Sequence, residues 1–252
     1  MQMDNSISKL AKLIKSAEKP VFFTGAGVST DSGIPDFRSP DKGLWRATSA
    51  QEFLFIDDFK REPEKFYDFA LKYFKDLLKA EPNTCHYFIA EIQKNAEESF
   101  VITQNIDNLH QKAGSDNVIE LHGNFARSYC INCMHEINTT KVFNMLEKGM
   151  NPPECPLCKG LLKPDITFFG ESLPEDALEK AVSVSENADL FIVLGSSLVV
   201  NPAALVPGYA KKGGAKVIIL NRDETPYDSI ADIVIHDKLS NIINNIKEVY
   251  DG

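Results

Sequence analysis

The stretch Val21 to Arg38, VFFTGAGVSTDSGIPDFR, decides the fold: an apolar segment suited to a buried strand runs straight into a glycine-bearing turn and then a polar loop. Gly25 and Gly27 have no Cβ, so backbone there can take positive φ and approach a pyrophosphate, while amides at the start of a following helix supply donors and a favourable dipole. Taken alone, Gly-Ala-Gly without a third glycine fits a tight strand-to-helix turn as well as a phosphate cradle.

Outward from this turn, further apolar segments suited to buried strands occur at Phe100 to Thr103, Val118 to Leu121, Leu190 to Leu194 and Lys216 to Leu220. Helix-like stretches separate them, at Pro63 to Lys79, Thr84 to Lys94, Pro174 to Ser185, Pro202 to Lys212 and Leu239 to Val249. An N-terminal helix places Ile7, Leu10, Ala11 and Ile14 on one face and stops at Pro20. Strands alternating with helices predict an α/β fold, a Rossmann-like doubly wound parallel sheet whose ligand site lies beyond the carboxyl ends of the strands. Two insertions interrupt the pattern, a polar and then helical one at about 37–81 and a cysteine-bearing one at about 125–163. They predict a smaller lobe beside a large lobe of about 1–36, 82–124 and 164–252, within a single domain of 252 residues.

The net charge of −9 and the lack of any basic run argue against an electrostatic grip on nucleic acid or on an anionic membrane. No apolar run approaches membrane-spanning length and the N-terminus lacks a signal-peptide core, so a cytoplasmic protein is expected.

Cys130-Ile-Asn-Cys133 and Cys155-Pro-Leu-Cys158 give C-x2-C-x21-C-x2-C, two knuckles whose four thiolates suit one tetrahedral zinc. The competing reading is two disulfides or a redox pair, which a cytoplasmic chain disfavours. Four sulfur ligands leave no open position for substrate, so the ion would be structural. Cys85 stands apart and reads as a small buried apolar residue.

A polar cluster, Gln104-Asn105-Ile106-Asp107, follows the second strand; read by itself it is a turn or helix cap as readily as a ligand contact. His122, in Leu-His-Gly, follows the third. An imidazole of ordinary pKa, about 6.5, is about three-quarters neutral at pH 7 and able to accept a proton.

The blocks VFFTGAGVSTDSGIPDFR, TQNIDNLHQKAG (Thr103 to Gly114), ELHGN (Glu120 to Asn124), the two cysteine pairs, PDITFFGE (Pro164 to Glu171), GSSLVVNPAA (Gly195 to Ala204) and Asn221, in this order, closely resemble the sirtuin family, the NAD-consuming protein-lysine deacylases. The resemblance runs from about Val21 to about Asp237. It implies that NAD is a co-substrate and that acetylated-lysine proteins or peptides are the substrates. Lysine, nicotinamide and 2'-O-acetyl-ADP-ribose would be the products. Protein ADP-ribosyl transfer and removal of longer apolar acyl groups are the alternatives.

The resemblance also implies roles. His122 would be the general base, and Asn105 and Asp107, with Ile34 and Ile106, would hold the nicotinamide end. Gln104 matches a position near the nicotinamide ribose. Gly25, Ala26, Gly27 and Thr30 match the phosphate turn, and Asp36, Phe37 and Arg38 the cofactor-binding loop. Gly195, Ser196 and Ser197 would meet phosphate or ribose, and Asn221 the adenine-side ribose. Phe168, Phe169, Gly170 and Val199 match the segments between which an extended peptide lies, with Phe168 and Val199 lining the tunnel for the lysine stem. Relatives that remove succinyl or malonyl groups carry Tyr-x-x-Arg where this chain has Tyr67-Asp68-Phe69-Ala70, so acidic acyl groups are expected to be poor substrates.

Overall fold

The computed structural model describes residues 2–36 and 54–250. Helix α1 (Gln2–Ser16) leads into β1 (Pro20–Thr24) and a 3₁₀ segment over Ala26–Ser32. Helices α2 (Ile56–Arg61), α3 (Pro63–Tyr73) and α4 (Thr84–Asn95) precede β2 (Phe100–Thr103), the single turn α5 (Leu109–Lys112) and β3 (Val118–Glu120). Next come β4 (Gly123–Cys130), β5 (Glu136–Asn138), α6 (Thr139–Glu147) and β6 (Leu162–Ile166). The chain closes with α7 (Glu175–Glu186), β7 (Leu190–Leu194), α8 (Val206–Gly213), β8 (Lys216–Leu220), β9 (Ile233–Ile235) and α9 (Leu239–Tyr250).

The larger sheet has the order β3-β2-β1-β7-β8-β9, with every pairing parallel. Strand order reverses between β1 and β7, which opens a crevice at their carboxyl ends. That crevice is bounded by Gly25 on one side and Gly195 on the other.

Both faces of this sheet are covered, which is why its strands read as unbroken apolar runs. Phe22 packs with Leu10, Ile89, Ile192 and Ile246 under α1, α4 and α9; Phe23, one residue on, packs with Phe191, Ala181 and Ala210 under α7 and α8. Phe22 and Phe23 are almost fully buried, each contributing about 1.5–3 kcal/mol. Helix α4 is started by Asn83, whose side chain accepts from the Cys85 amide at 2.9 Å.

A second sheet, antiparallel in the order β5-β4-β6, has its own core with α2, α3 and α6 around Phe59, Phe66, Phe125, Phe143 and Leu162. Residues of both insertions thus share one core. This sheet is not signalled in the sequence. The single helix expected over Pro63 to Lys79 also needs correction: α3 ends at Tyr73, because Phe74 turns to pack against Phe69 and Phe125, and a short 3₁₀ turn over Leu77–Lys79 follows. Among the described residues no helix is long and apolar enough to cross a membrane.

Candidate active site

Three strand ends build the crevice. After β1, the Gly27 amide donates to the Gly195 carbonyl at 2.9 Å, and after β2 the Gln104 amide donates to Thr24 O at 2.9 Å. The sheet's hydrogen bonding therefore continues into the loops and fixes them rigidly.

The reason glycines stand here differs from the expected one. Gly25 has φ −128°, ordinary extended backbone, and the positive φ belongs to Gly195, at 61°. What excludes a side chain at Gly25 and Gly27 is proximity. A Cβ on Gly25 would lie 2.7 Å from Gly195 O, and one on Gly27 2.7 Å from Gly195 Cα. The segment after the turn is 3₁₀ rather than α-helical, with Thr30 Oγ1 donating to Gly27 O at 3.0 Å.

On the floor, Asp107 is buried. Its Oδ2 accepts from Ser29 Oγ at 2.6 Å and its Oδ1 from the Leu109 amide at 2.9 Å. Burial raises the Asp107 pKa above the usual carboxylate value, and these two donors oppose the rise. Asn105 Nδ2 donates to Gly25 O at 3.1 Å and to Ser29 Oγ at 3.2 Å. Asn105, Ile106 and Asp107 face Ala26 and Ile34 across a cleft of about 200 Å³ that continues between Tyr73 and Leu77. Gln104 Nε2 donates to Ser196 Oγ at 2.8 Å, tying β2 to the β7 loop.

His122 sits in the turn joining β3 to β4, where the two sheets meet. Its Nδ1 lies 2.9 Å from Gln104 O. A carbonyl only accepts, so Nδ1 carries the hydrogen and Nε2 keeps the free lone pair. Burial lowers the His122 pKa below its ordinary value, partly offset by this bond.

Asn221, buried at the end of β8, donates from Nδ2 to Asp223 O at 2.7 Å. Ser197 and Asp36 are half-buried. Phe37 and Arg38 lie outside the described residues. Along the far rim, Phe169, Gly170 and Val199 are exposed, whereas Phe168 is buried, its ring 5.0 Å from Phe59 and 5.1 Å from Phe66. Tyr67 and Ala70 are buried in the same core, and Tyr67 Oη donates to Leu162 O at 2.5 Å. Asp68 points outward to Asn151, at 2.8 Å.

The four cysteine sulfurs all lie within 4.8 Å of one another, with Cys130 to Cys158 at 3.4 Å and Cys133 to Cys155 at 3.7 Å. A tetrahedral zinc with bonds of about 2.3 Å holds its sulfurs about 3.8 Å apart, so the set fits that ion. The two knuckles match in backbone as well: Met134 and Lys159, each following the second cysteine of its pair, take φ of 57° and 62°.

Two residues of the site have roles that the sequence did not single out. Ser29 joins Asn105 to Asp107, and only its place four residues beyond Gly25 hinted at this. Leu198 is buried with φ 52°, left-handed backbone that costs a leucine about 1–2 kcal/mol and that sets the direction of the Val199 loop.

The model of the Sir2 family matches residues 25–202. The NAD-dependent protein deacetylase of Saccharolobus solfataricus is 46% identical over 244 residues, covering 95% of this chain and 97% of the relative. That of Thermotoga maritima is 47% identical over 219 residues, covering 87% and 88%. Among solved structures, a Sir2 variant with deacetylated p53 peptide and 3'-O-acetyl-ADP-ribose superposes with a TM-score of 0.90 at 42% identity, over 96% of this chain and 97% of that one. A Sir2 complex with p53 peptide and NAD gives 0.86 at 41%, over 95% and 96%. With the family model spanning the crevice from Gly25 to Pro202 and relatives aligned along nearly its whole length, the chain belongs to the Sir2 family.

Proposed function

We propose that this chain is an NAD-dependent protein-lysine deacetylase, converting acetyl-lysine and NAD to lysine, nicotinamide and 2'-O-acetyl-ADP-ribose. One observation carries the reading: the tautomer of His122 is set by Gln104, whose neighbour Asn105 belongs to the adjacent cleft with Asp107. A base and a polar pocket are thereby held by one strand end.

NAD supplies the ADP-ribosyl group that receives the acetyl oxygen and then the acetyl group. The rest is done by the chain. The loops at Gly25, Ala26, Gly27 and Thr30 and at Gly195, Ser196 and Ser197 bring backbone and hydroxyl groups to phosphate and ribose, and Asn221 serves the adenosine end. Asp36, Phe37 and Arg38 are assigned to cofactor binding by the family resemblance. Asn105, Asp107, Ile34 and Ile106 receive the nicotinamide amide, with Gln104 beside the ribose. Nε2 of His122 takes the proton of a ribose hydroxyl. Phe169, Gly170 and Val199 present the edges between which a peptide extends, and Phe168 backs the acyl-lysine tunnel.

Apolar acyl groups longer than acetyl also suit the site. Tyr67 and Ala70 are buried in an apolar core and offer no cation to a carboxylate, and a Sir2 structure with a propionylated peptide is 41% identical with a TM-score of 0.87. The zinc would hold the smaller lobe folded and take no part in the chemistry. The single catalytic domain, its division into two lobes, a cytoplasmic location and the lack of direct nucleic-acid or membrane binding complete the reading. They are supported by the separate cores of the two sheets, the thiolate cluster and the net charge of −9.

Incubation with NAD and an acetyl-lysine peptide, followed by mass spectrometry, tests it. Matched release of deacetylated peptide, nicotinamide and acetyl-ADP-ribose is expected. Release of nicotinamide from NAD while the peptide keeps its acetyl group would instead favour ADP-ribosyl transfer.

A further inference from the structure

Lys163 lies in LKPDI, the sequence of β6, and is only 4% exposed. A lysine is almost never buried unless its ammonium is fully partnered. Here it is. Nζ donates to Ile166 O at 2.8 Å, pairs with Glu171 Oε2 at 3.1 Å, and lies 4.6 Å from the Phe168 ring centroid and 5.4 Å from that of Tyr129. Glu171 Oε2 also accepts from the Phe168 amide at 2.8 Å.

These contacts fall at both ends of one short segment. Between them the Thr167 amide donates to the carbonyl of His122 at 2.9 Å. Phe169 bridges to the helical insertion through its amide to Leu54 O at 2.8 Å and its carbonyl to the Ile56 amide at 3.0 Å. A single buried ammonium therefore braces a segment that touches the backbone of the base on one side and presents Phe169 and Gly170 on the other. An ion pair buried on its lysine side is a poor stabiliser, since an apolar residue of similar volume would avoid the cost of dehydrating the ammonium. Its geometry, by contrast, is specific: it locks the path of the chain from Ile166 to Glu171.

We infer that Lys163, through Glu171, is a positioning residue for the acyl-lysine peptide, setting the backbone at 167–170 relative to His122. The inference rests on the reading that Phe168 to Gly170 receive the peptide. Lys163 does not line the cleft of Asn105 and Asp107, so its removal should act on the peptide and leave NAD largely alone. A purely structural role would weaken both together.

The test uses the full zinc-loaded chain carrying Lys163→Met, Glu171→Gln or Lys163→Arg. Kd for a fluorescent acetyl-lysine peptide is read by anisotropy, with KM for peptide and for NAD measured separately and zinc content checked. Lys163→Met and Glu171→Gln should raise the peptide Kd and KM about tenfold while KM for NAD changes less than about twofold, and Lys163→Arg should recover most of the loss. Unchanged peptide Kd, or equal weakening of peptide and NAD, would overturn the inference. If Lys163→Met does not fold, Glu171→Gln, which keeps the shape and removes only the charge, decides. A wild-type chain that fails to bind the peptide would sink the peptide reading and this inference with it, whereas variants matching a binding-competent wild type would sink the inference alone.

Discussion

Ser29 Oγ and Asp107 Oδ2 are joined at 2.6 Å on the floor of the crevice, both residues being buried. The same hydroxyl accepts from Asn105 at 3.2 Å, so one serine orients both polar side chains assigned to the nicotinamide end. Ser29→Ala should leave the fold intact and raise KM for NAD roughly 10- to 100-fold, the worth of a hydrogen bond to a charged group, about 1.5–3 kcal/mol. Steady-state kinetics at saturating peptide would show it; an unchanged KM for NAD would remove Ser29 from the pocket.

His122 gives a prediction about pH. Burial disfavours its imidazolium, so the neutral, basic form persists as the medium is acidified below the ordinary histidine value. The acid limb of kcat/KM should accordingly fall at a pH below about 6.5. His122→Ala should lose about 10²- to 10⁴-fold in deacylation while retaining its zinc and its fold. An acid limb above neutrality, or a nearly active alanine variant, would assign the base elsewhere.

The glycine cluster predicts a stability defect. Gly27→Ala places a methyl 2.7 Å from Gly195 Cα, where backbone on both sides is fixed by hydrogen bonds. Gly195→Ala adds left-handed strain to a contact of 2.6 Å with the Val28 amide nitrogen. Each should cost about 1–3 kcal/mol or more, and Gly33→Ala, which meets nothing within 4 Å but has φ 82°, should cost about 1–2 kcal/mol. Thermal melts of the three would rank them, and a Gly27→Ala melt equal to wild type would refute the proximity argument.

Much of this was legible in the chain, for reasons that differ by region. The parallel sheet declared itself because its strands are buried on both faces, so Val21 to Phe23 and Leu190 to Leu194 are unbroken apolar runs. The cysteine pairs were readable from spacing alone. The antiparallel sheet was not: β4 is GNFARSYC, in which Asn124, Ser128 and the half-buried Arg127 break any alternation, and β6 buries a lysine. The need for glycine at positions 25 and 27 arises from Gly195, about 170 residues away, and such a contact leaves no local mark. Ser29 was hidden for the same reason, since its partners lie near residue 106.

Removal of zinc should act on one part of the molecule. The cysteine set ties the end of β4 to the loop before β6, and its loss frees the sheet that carries Lys163 while leaving the parallel sheet's two cores untouched. Chelation under mild denaturing conditions should release one equivalent of zinc and abolish activity. Hydrogen exchange should rise across β4 to β6 and much less across β1, β7 and β8. Uniform loss of protection would mean that the two sheets unfold as one unit.

Two histidines lie beneath the site. His86 and His110 are buried with ring centroids 4.9 Å apart, and His110 Nε2 lies 2.9 Å from Thr24 Oγ1. Burial pushes His86 down to about 4 and His110 well below its ordinary value, the latter further opposed by the charge His86 would carry. Above the unfolded value of about 6.5 both rings are neutral in either state and contribute nothing to pH dependence. As pH falls through 6.5 towards 4, the unfolded chain takes up protons that the native chain refuses. Stability therefore drops by up to about 1.4 kcal/mol per pH unit for each ring. The urea midpoint should fall steadily from pH 6.5 to 5, while two histidine Cε1–H resonances of the folded protein stay at their neutral positions over that range. Resonances that titrate near 6.5 would show that the pair is open to water, and the acid sensitivity of the fold would then have to come from its carboxylates and zinc ligands instead.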